Sequence, residues 1–106
     1  MLPEVTNKEL AQELAGPNPP FILDVREAYE LEHGVLPQAV HIPMIDVPDK
    51  LSELDKDAAI VVVCRTGSRS SKVTDFLVRN GYSHVRNLVG GMNAWSADVD
   101  PSVKAY

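Results

Sequence analysis

Seven consecutive apolar residues, Ala58 to Cys64, limit how this chain can fold more than any other feature of its sequence. The run holds two alanines, an isoleucine, three valines and a cysteine, and no polar residue interrupts it. A strand with one face in water alternates apolar and polar residues, so a continuous run predicts a strand that is covered on both faces. Parallel sheets flanked by helices provide that environment. The run is also far shorter than the roughly 20 residues that cross a membrane as a helix.

Strand-like and helical segments alternate along the rest of the chain. The first helix is predicted to begin at a capping box formed by Thr6 and Glu9 and to end at Gly16. The other predicted helices cover residues 27–32, 47–54, 70–80 and 93–97. The predicted strands cover residues 21–25, 39–42, 59–63 and 84–88. This alternation predicts an α/β sandwich with a mainly parallel central sheet and helices on both faces.

Chain length and composition disfavour several classes of protein. A chain of 106 residues has room for one domain, which we expect to span residues 1–106. Ten basic and fifteen acidic side chains give a net charge of -5, which disfavours nucleic acid and anionic membranes as partners. The single cysteine excludes an intramolecular disulfide and therefore a secreted disulfide scaffold. Because the first residues lack the basic and apolar regions of a signal peptide, we expect a cytoplasmic protein.

The segment with the clearest chemical signature runs from Cys64 to Ser71, with the sequence CRTGSRSS. It joins the most apolar predicted strand to a helix that we expect to open at Ser70 or Ser71. A short loop in this position turns several backbone amides, and the positive end of the helix dipole, towards one point. Gly67 allows the unusual backbone angles that such a loop requires. This environment favours the thiolate form of Cys64, which is the nucleophilic form of cysteine.

Arg65 and Arg69 place two positive charges on this loop of an otherwise acidic chain. Each feature of the loop has a plainer interpretation by itself. A lone cysteine at the end of an apolar strand is usually a small buried hydrophobic residue, and loop arginines usually face solvent. The combination of both arginines with Gly67 and two serines favours a site that holds an anionic ligand next to a reactive Cys64 thiolate.

Several stretches of the sequence, in order, resemble the rhodanese superfamily in its single-domain form. They are Phe21–Glu27 (FILDVRE), Gly34–Pro43 (GVLPQAVHIP), Cys64–Ser70 (CRTGSRS), Gly81–Tyr82 and Leu88–Trp95 (LVGGMNAW). Together they extend from about residue 21 to residue 95. The chain departs from the family pattern at Gln38, where glycine is common, and at His33, which precedes Gly34 in an unusual order. These positions belong to the turn before a strand, so the departures concern the fold more than the chemistry.

The resemblance implies a rhodanese-like sandwich and a sulfurtransferase that needs no cofactor and no metal. Cys64 would attack the outer sulfur of thiosulfate or a persulfide and become a persulfide itself. A thiol, cyanide or a protein acceptor would then remove that sulfur. The same resemblance assigns substrate binding to six loop residues, whose amides cradle the persulfide while the two arginines orient the anionic donor. These six are Arg65, Thr66, Gly67, Ser68, Arg69 and Ser70.

Three other functions remain open at this stage. A persulfide carrier would use the same residues but hand the sulfur to a partner protein. A non-catalytic regulatory module of this superfamily usually lacks the cysteine, which is present here. Cysteine phosphatases and related arsenate reductases have a C-x5-R loop, one residue longer than the C-x4-R spacing from Cys64 to Arg69. The shorter loop surrounds a smaller group, such as a persulfide sulfur.

Some residues outside the loop have structural as well as functional interpretations. Asp24 and Arg26 follow a predicted strand on the Cys64 side of the sheet, where they either line the pocket or form an ion pair, and we favour the ion pair. The three histidines lack the spacing of a metal site. Gly90 and Gly91 are expected to let the backbone pass close to the Cys64 loop. The acidic stretch 98–101 is expected to form a solvated tail.

Overall fold

The computed structural model describes residues 2–106, which form one five-stranded sheet in the order β1-β5-β4-β2-β3. Every pair of neighbouring strands is parallel. The strands are β1 (Glu4–Val5), β2 (Phe21–Asp24), β3 (Val40–His41), β4 (Ile60–Val63) and β5 (Val85–Leu88). The predicted α/β class with a mainly parallel central sheet is confirmed. The strand β1 was not predicted from the sequence, because two residues are too few to show a pattern.

The central strand β4 is buried on both faces, as its continuous apolar run predicts. Ile60 and Val62 point into one hydrophobic cluster, together with Cys64. Val61 and Val63 point into a second cluster on the other face of the sheet. All five side chains are at most 1% exposed. The alternation of the strand therefore divides one apolar run between two cores.

Helices cover both faces of the sheet. The α-helices are α1 (Asn7–Leu14), α2 (Ser68–Arg79) and α3 (Gly91–Asp98), and two 3-10 helices cover Ala28–His33 and Met44–Glu53. Leu10 of α1 and Trp95 of α3 pack in one cluster, and Leu77 of α2 packs in the other. The capping box predicted at Thr6 is present, with the Glu9 amide 3.2 Å from the Thr6 hydroxyl. Within residues 2–106, no helix is both long and apolar enough to span a membrane.

Gln38 lies in the turn before β3 and has a φ of 59°. This left-handed region favours glycine, because a side chain there crowds the backbone. The conformation explains why glycine is common at this position. Glutamine adopts the same backbone angles here at some cost in strain.

The last residues do not form a free solvated tail. Asp98 is exposed but belongs to α3 and accepts a hydrogen bond from the Asn7 side chain over 2.7 Å. Val103 is only 4% exposed and packs in the same cluster as Trp95. The Lys104 amide donates a hydrogen bond to the His33 carbonyl over 2.8 Å. The Tyr106 amide donates to the Asn93 side chain over 3.1 Å. These contacts bring Tyr106 to the side of the sheet where the strands have their carboxyl ends.

The start of α3 contacts the loop that follows β4. The Met92 amide donates to the Cys64 carbonyl over 2.9 Å, and the Asn93 amide donates to the Arg65 carbonyl over 3.0 Å. Gly91 lies against both carbonyls with a φ of 58°, and a Cβ at this position would overlap both oxygens. Gly91 thus lets α3 approach the Cys64 loop, as the sequence suggested, whereas a Cβ on Gly90 would meet Ala94 of the same helix.

Replacement of Gly91 by alanine should therefore lower the free energy of unfolding by roughly 3 kcal/mol or more, since the methyl group meets two carbonyls at a positive φ. Denaturant unfolding measures the change. Gly16→Ala is the matched control, because its Cβ would lie 3.4 Å from the Glu13 carbonyl oxygen, an ordinary contact, and its φ is not positive. Equal stability of the two variants would contradict the close approach of α3 to the loop.

Candidate active site

The sulfur of Cys64 lies at the carboxyl end of β4, where it faces the start of α2. The Gly67 amide donates to Sγ over 3.1 Å, and the Ser70 hydroxyl lies 3.2 Å from Sγ. Burial by itself raises the pKa of the Cys64 thiol, since the residue is 1% exposed. Hydrogen bonds from the Ser70 hydroxyl and from the amides of Ser70, Gly67 and Thr66 outweigh burial and place the pKa below its ordinary value. The Cys64 thiol therefore ionises to the nucleophilic thiolate more easily than an ordinary cysteine does.

The helix α2 begins nearer to Cys64 than its sequence indicates. It starts at Ser68, not at Ser70 or Ser71, and its N-cap is Gly67 with a φ of 99°. The predicted start was wrong because the left-handed Gly67 turns the chain directly into the helix, and the serines that favour caps instead occupy its first turn. The early start brings the amide of Ser70 within reach of Sγ and directs the positive end of the α2 dipole at the sulfur.

Arg69 makes a two-pronged ion pair with Glu30. Its guanidinium nitrogens lie 2.6 and 2.7 Å from the two carboxylate oxygens, and the Glu30 side chain is 4% exposed. The Glu27 amide and the Tyr106 hydroxyl also donate to this carboxylate, over 2.7 and 2.9 Å. Arg69 is the main cause that lowers the pKa of Glu30 to about 2. The charge of Arg69, expected to orient the donor, is thus balanced by a buried carboxylate.

Arg65 has a different environment from Arg69. It is exposed, and no Asp or Glu in residues 2–106 forms an ion pair with it. Its guanidinium lies 5.1 Å from the centroid of the Tyr106 ring, within the range of a cation–π contact. The His33 ring stacks on Tyr106 with centroids 4.1 Å apart. Arg65 is therefore a positioned cation at the rim of the loop.

Asp24 and Arg26 form the ion pair that the sequence favoured. Their nearest charged atoms are 2.8 Å apart, and the side chains are 1% and 0% exposed. Arg26 also donates to the Gly34 carbonyl over 2.8 Å and to the Tyr106 hydroxyl over 3.0 Å. The pair therefore ties β2 to the 3-10 helix that follows it and to the end of the chain.

Three residues contribute to this arrangement that sequence analysis did not identify. Glu30 holds Arg69, Tyr106 holds Arg65, and Asn87 of β5 contacts both Ser70 and Gly67. Asn87 had only a weak signal, an uncharged polar residue inside a predicted strand that also contains Arg86. Glu30 and Tyr106 had none, because their roles depend on contacts with distant segments.

One cavity lies at the carboxyl ends of the strands and another lies at their amino ends. A cavity of about 410 Å³ borders the Cys64 loop and is lined by Thr66, Ser68 and Asn87 among others. A larger one of about 600 Å³ lies at the amino ends of the strands, beside Pro20 and Phe21. Parallel sheets bind ligands at the carboxyl ends of their strands, so we locate the site at Cys64. Within residues 2–106, no group of three or more His, Cys, Asp or Glu side chains is placed to hold a metal ion.

Comparisons with known proteins identify the family of this chain. The model of the rhodanese-like domain family matches residues 6–98. The protein YtwF of Bacillus subtilis is 40% identical over 98 residues, which cover 92% of this chain and 94% of that protein. A sulfurtransferase of Allochromatium vinosum is 36% identical over 96 residues, which cover 91% of this chain and 90% of the relative.

A solved structure leads to the same conclusion. The crystal structure of a rhodanese-like domain protein from Staphylococcus aureus has a TM-score of 0.84 and 38% identity to this chain. The similarity covers 89% of this chain and 91% of that one. The resemblance seen in the sequence is confirmed, and the chain belongs to the rhodanese-like domain family.

Proposed function

We propose that this rhodanese-like sulfurtransferase moves a sulfane sulfur from thiosulfate, or a similar anionic donor, to a thiol or cyanide through a Cys64 persulfide. The observation that supports the proposal is the position of Sγ, which faces the backbone amides of Thr66, Gly67 and Ser70, with the Gly67 amide 3.1 Å away. Donors that stabilise a thiolate in a buried position also stabilise the anionic sulfur of a persulfide.

The reaction consists of two displacements at sulfur. The Cys64 thiolate attacks the outer sulfur of thiosulfate, the S–S bond of the donor breaks, and sulfite leaves with the bonding electron pair. The product is a Cys64 persulfide anion. A thiolate or cyanide then attacks the outer sulfur of that persulfide, and the Cys64 thiolate leaves. No net oxidation is required, because each electron pair that forms a bond replaces one that breaks.

The burial of Cys64 favours a small transferred group. Only 1% of the residue surface is exposed, so a single projecting sulfur atom reaches Sγ more easily than a bulky group. The C-x4-R spacing of the loop agrees with a small target. The same argument disfavours a phosphoryl group, whose three equatorial oxygens need a wider ring of donors.

The two arginines of the loop are expected to contribute unequally to binding of the anionic donor. Arg65 is exposed and unpaired within residues 2–106, whereas Arg69 is bound to Glu30. An approaching dianion gains more from a cation whose charge is not already balanced. We therefore assign donor attraction chiefly to Arg65, and to Arg69 chiefly the support of the loop.

The first prediction concerns the persulfide. Incubation of the protein with thiosulfate should add about 32 Da, one sulfur atom, through covalent attack by Cys64. Intact-mass spectrometry measures the gain, which a thiol reductant should reverse. Cys64→Ser should show no gain while it keeps the circular dichroism spectrum of the unmodified chain, because serine is nearly the same size.

The outcomes separate the candidate functions. A persulfide with rapid turnover to thiocyanate supports the proposal. A stable persulfide with poor turnover indicates a carrier that hands sulfur to a protein. No mass gain from thiosulfate or from a low-molecular-weight persulfide, with a thiol that alkylates normally, contradicts the proposal. Hydrolysis of an aryl phosphate that Cys64→Ser abolishes would identify a phosphatase instead.

The second prediction distinguishes the role of Arg65 in donor binding from the role of Arg69 in stability. Arg65→Ala should raise the KM for thiosulfate about tenfold, the loss of a charge-assisted contact, with little change in stability because the side chain is exposed. Arg69→Ala should instead lower the free energy of unfolding by about 3 kcal/mol, because it leaves the buried Glu30 carboxylate without its partner.

Arg79→Ala is the matched control, since Arg79 lies at the far end of α2 in an exposed pair with Asp75. It should change neither KM nor the unfolding midpoint appreciably. The double variant with Arg69→Ala and Glu30→Gln should recover part of the stability lost in Arg69→Ala. A large rise in KM with unchanged stability in Arg69→Ala would return the donor-binding role to that residue.

A further inference from the structure

Asn87 is a polar side chain buried beneath the Cys64 loop. It belongs to β5 and is 5% exposed. Its Nδ2 donates to the Gly67 carbonyl over 3.2 Å, and its Oδ1 accepts from the Ser70 hydroxyl over 2.5 Å. Asn87 does not touch Sγ, but both of its partners do. It can therefore act on the sulfur only through these two residues.

The orientation of the Asn87 amide is determined by its partners. A carbonyl oxygen only accepts hydrogen bonds, so the Asn87 group that faces the Gly67 carbonyl must be the donor Nδ2. The opposite atom, Oδ1, therefore faces Ser70 and can only accept. A flipped amide would place two acceptors against each other at the Gly67 carbonyl.

The hydroxyl of Ser70 has a single proton for two neighbours. While it donates that proton to Asn87, it can only accept from Cys64, so the contact of 3.2 Å to Sγ is a hydrogen bond donated by the thiol. When the thiol ionises, this donor disappears and the lone pairs of the hydroxyl face a negative sulfur. The hydroxyl then gains most by turning its proton towards Sγ, which leaves Oδ1 of Asn87 without a donor.

We propose that Asn87 is a positioning residue that competes with the Cys64 sulfur for the single proton of the Ser70 hydroxyl. In the thiol state the proton points to Asn87, and in the thiolate state it points to Sγ. Formation of the persulfide moves the negative charge to the outer sulfur, so Sγ becomes a poor acceptor and the proton returns to Asn87. This proposal rests on the proposed role of Cys64 as the nucleophile.

The charged groups near the loop do not compete for this proton. From α2, Arg69 is paired with Glu30, and Lys72 lines the cavity beside the loop. From β2, Asp24 is paired with Arg26, and Arg65 of the loop lies over Tyr106. These charges are the same in the parent chain and in every variant. A difference between variants at Asn87 therefore reports on Ser70.

The test is the pH dependence of Cys64 alkylation by iodoacetamide. Asn87→Leu removes the competing acceptor, so the midpoint should fall by about 0.5 to 1 pH unit, the worth of one hydrogen bond. Ser70→Ala removes the donor, so the midpoint should rise by a similar amount. The double variant should match Ser70→Ala, because the proposed competition requires the hydroxyl proton. A rise or no change in Asn87→Leu, or additive shifts in the double variant, would overturn the proposal.

Two controls separate this effect from a general loss of buried hydrogen bonds. Asn7→Leu removes another buried amide, which bonds Ala94 and Asp98 away from the sulfur. Thr74→Val removes a buried hydroxyl that bonds only the Ser70 carbonyl, over 2.8 Å. Both should destabilise the chain and leave the alkylation midpoint unchanged. A purely structural role of Asn87 would give the pattern of these controls.

A measurement on the unmodified chain tests the proposal even where variants fail to fold. The side-chain carbonyl ¹³C resonance of Asn87 should shift with pH at the midpoint of Cys64 alkylation, because Oδ1 loses its donor there. Cys64→Ala should abolish that shift. A resonance that stays constant through the midpoint rejects the proposal. Neither alkylation nor this resonance requires sulfur transfer, so failure of the proposed function would be recognised separately, by the absence of a persulfide.

Discussion

Two hydrogen bonds between α3 and the loop after β4 hold the geometry on which the site depends. The first amides of α3 donate to the carbonyls of Cys64 and Arg65. These two carbonyls accept hydrogen bonds from α3 and point away from the sulfur. The backbone amides of the loop residues that follow can therefore face Sγ. The contact is possible because Gly91 has no side chain. A buried anionic sulfur thus depends on a close approach between two pieces of backbone.

The ion pairs around the loop stabilise structure and also decide where positive charge remains available. Glu30 accepts from Arg69, from the Glu27 amide and from Tyr106, so its carboxylate is fully occupied. This network places a fixed, neutral unit beside the sulfur and leaves Arg65 as the exposed cation. The folded chain therefore presents the exposed cation Arg65, together with Lys72 beside the loop, on a protein whose overall charge is -5. Anionic donors are attracted to these cations, whereas the net negative charge of the chain disfavours their binding in general.

Elements that depend on neighbouring residues of the chain could be predicted from the sequence. Elements that depend on contacts between distant segments could not. The apolar run of β4 and the capping box at Thr6 involve neighbours in the chain, and both were predicted correctly. The start of α2 was misplaced because the left-handed turn at Gly67 cannot be distinguished from a longer loop by composition alone. The packing of residues 99–106 against the rest of the domain was not predicted, because it depends on burial of Val103 in the same hydrophobic cluster as Trp95.

The sequence by itself determined the chemistry that is possible: one cysteine at the end of a buried strand, followed by a glycine-containing loop and a helix. These features follow from residue type and order, which are local. Only the tertiary structure decided which arginine keeps its charge free and which way the Ser70 proton points. Arg69 meets Glu30 across 39 positions of sequence, and Ser70 meets Asn87 across 17. Hydrogen bonds and ion pairs act over a few ångströms, so their partners are set by the packing of elements and not by position along the chain.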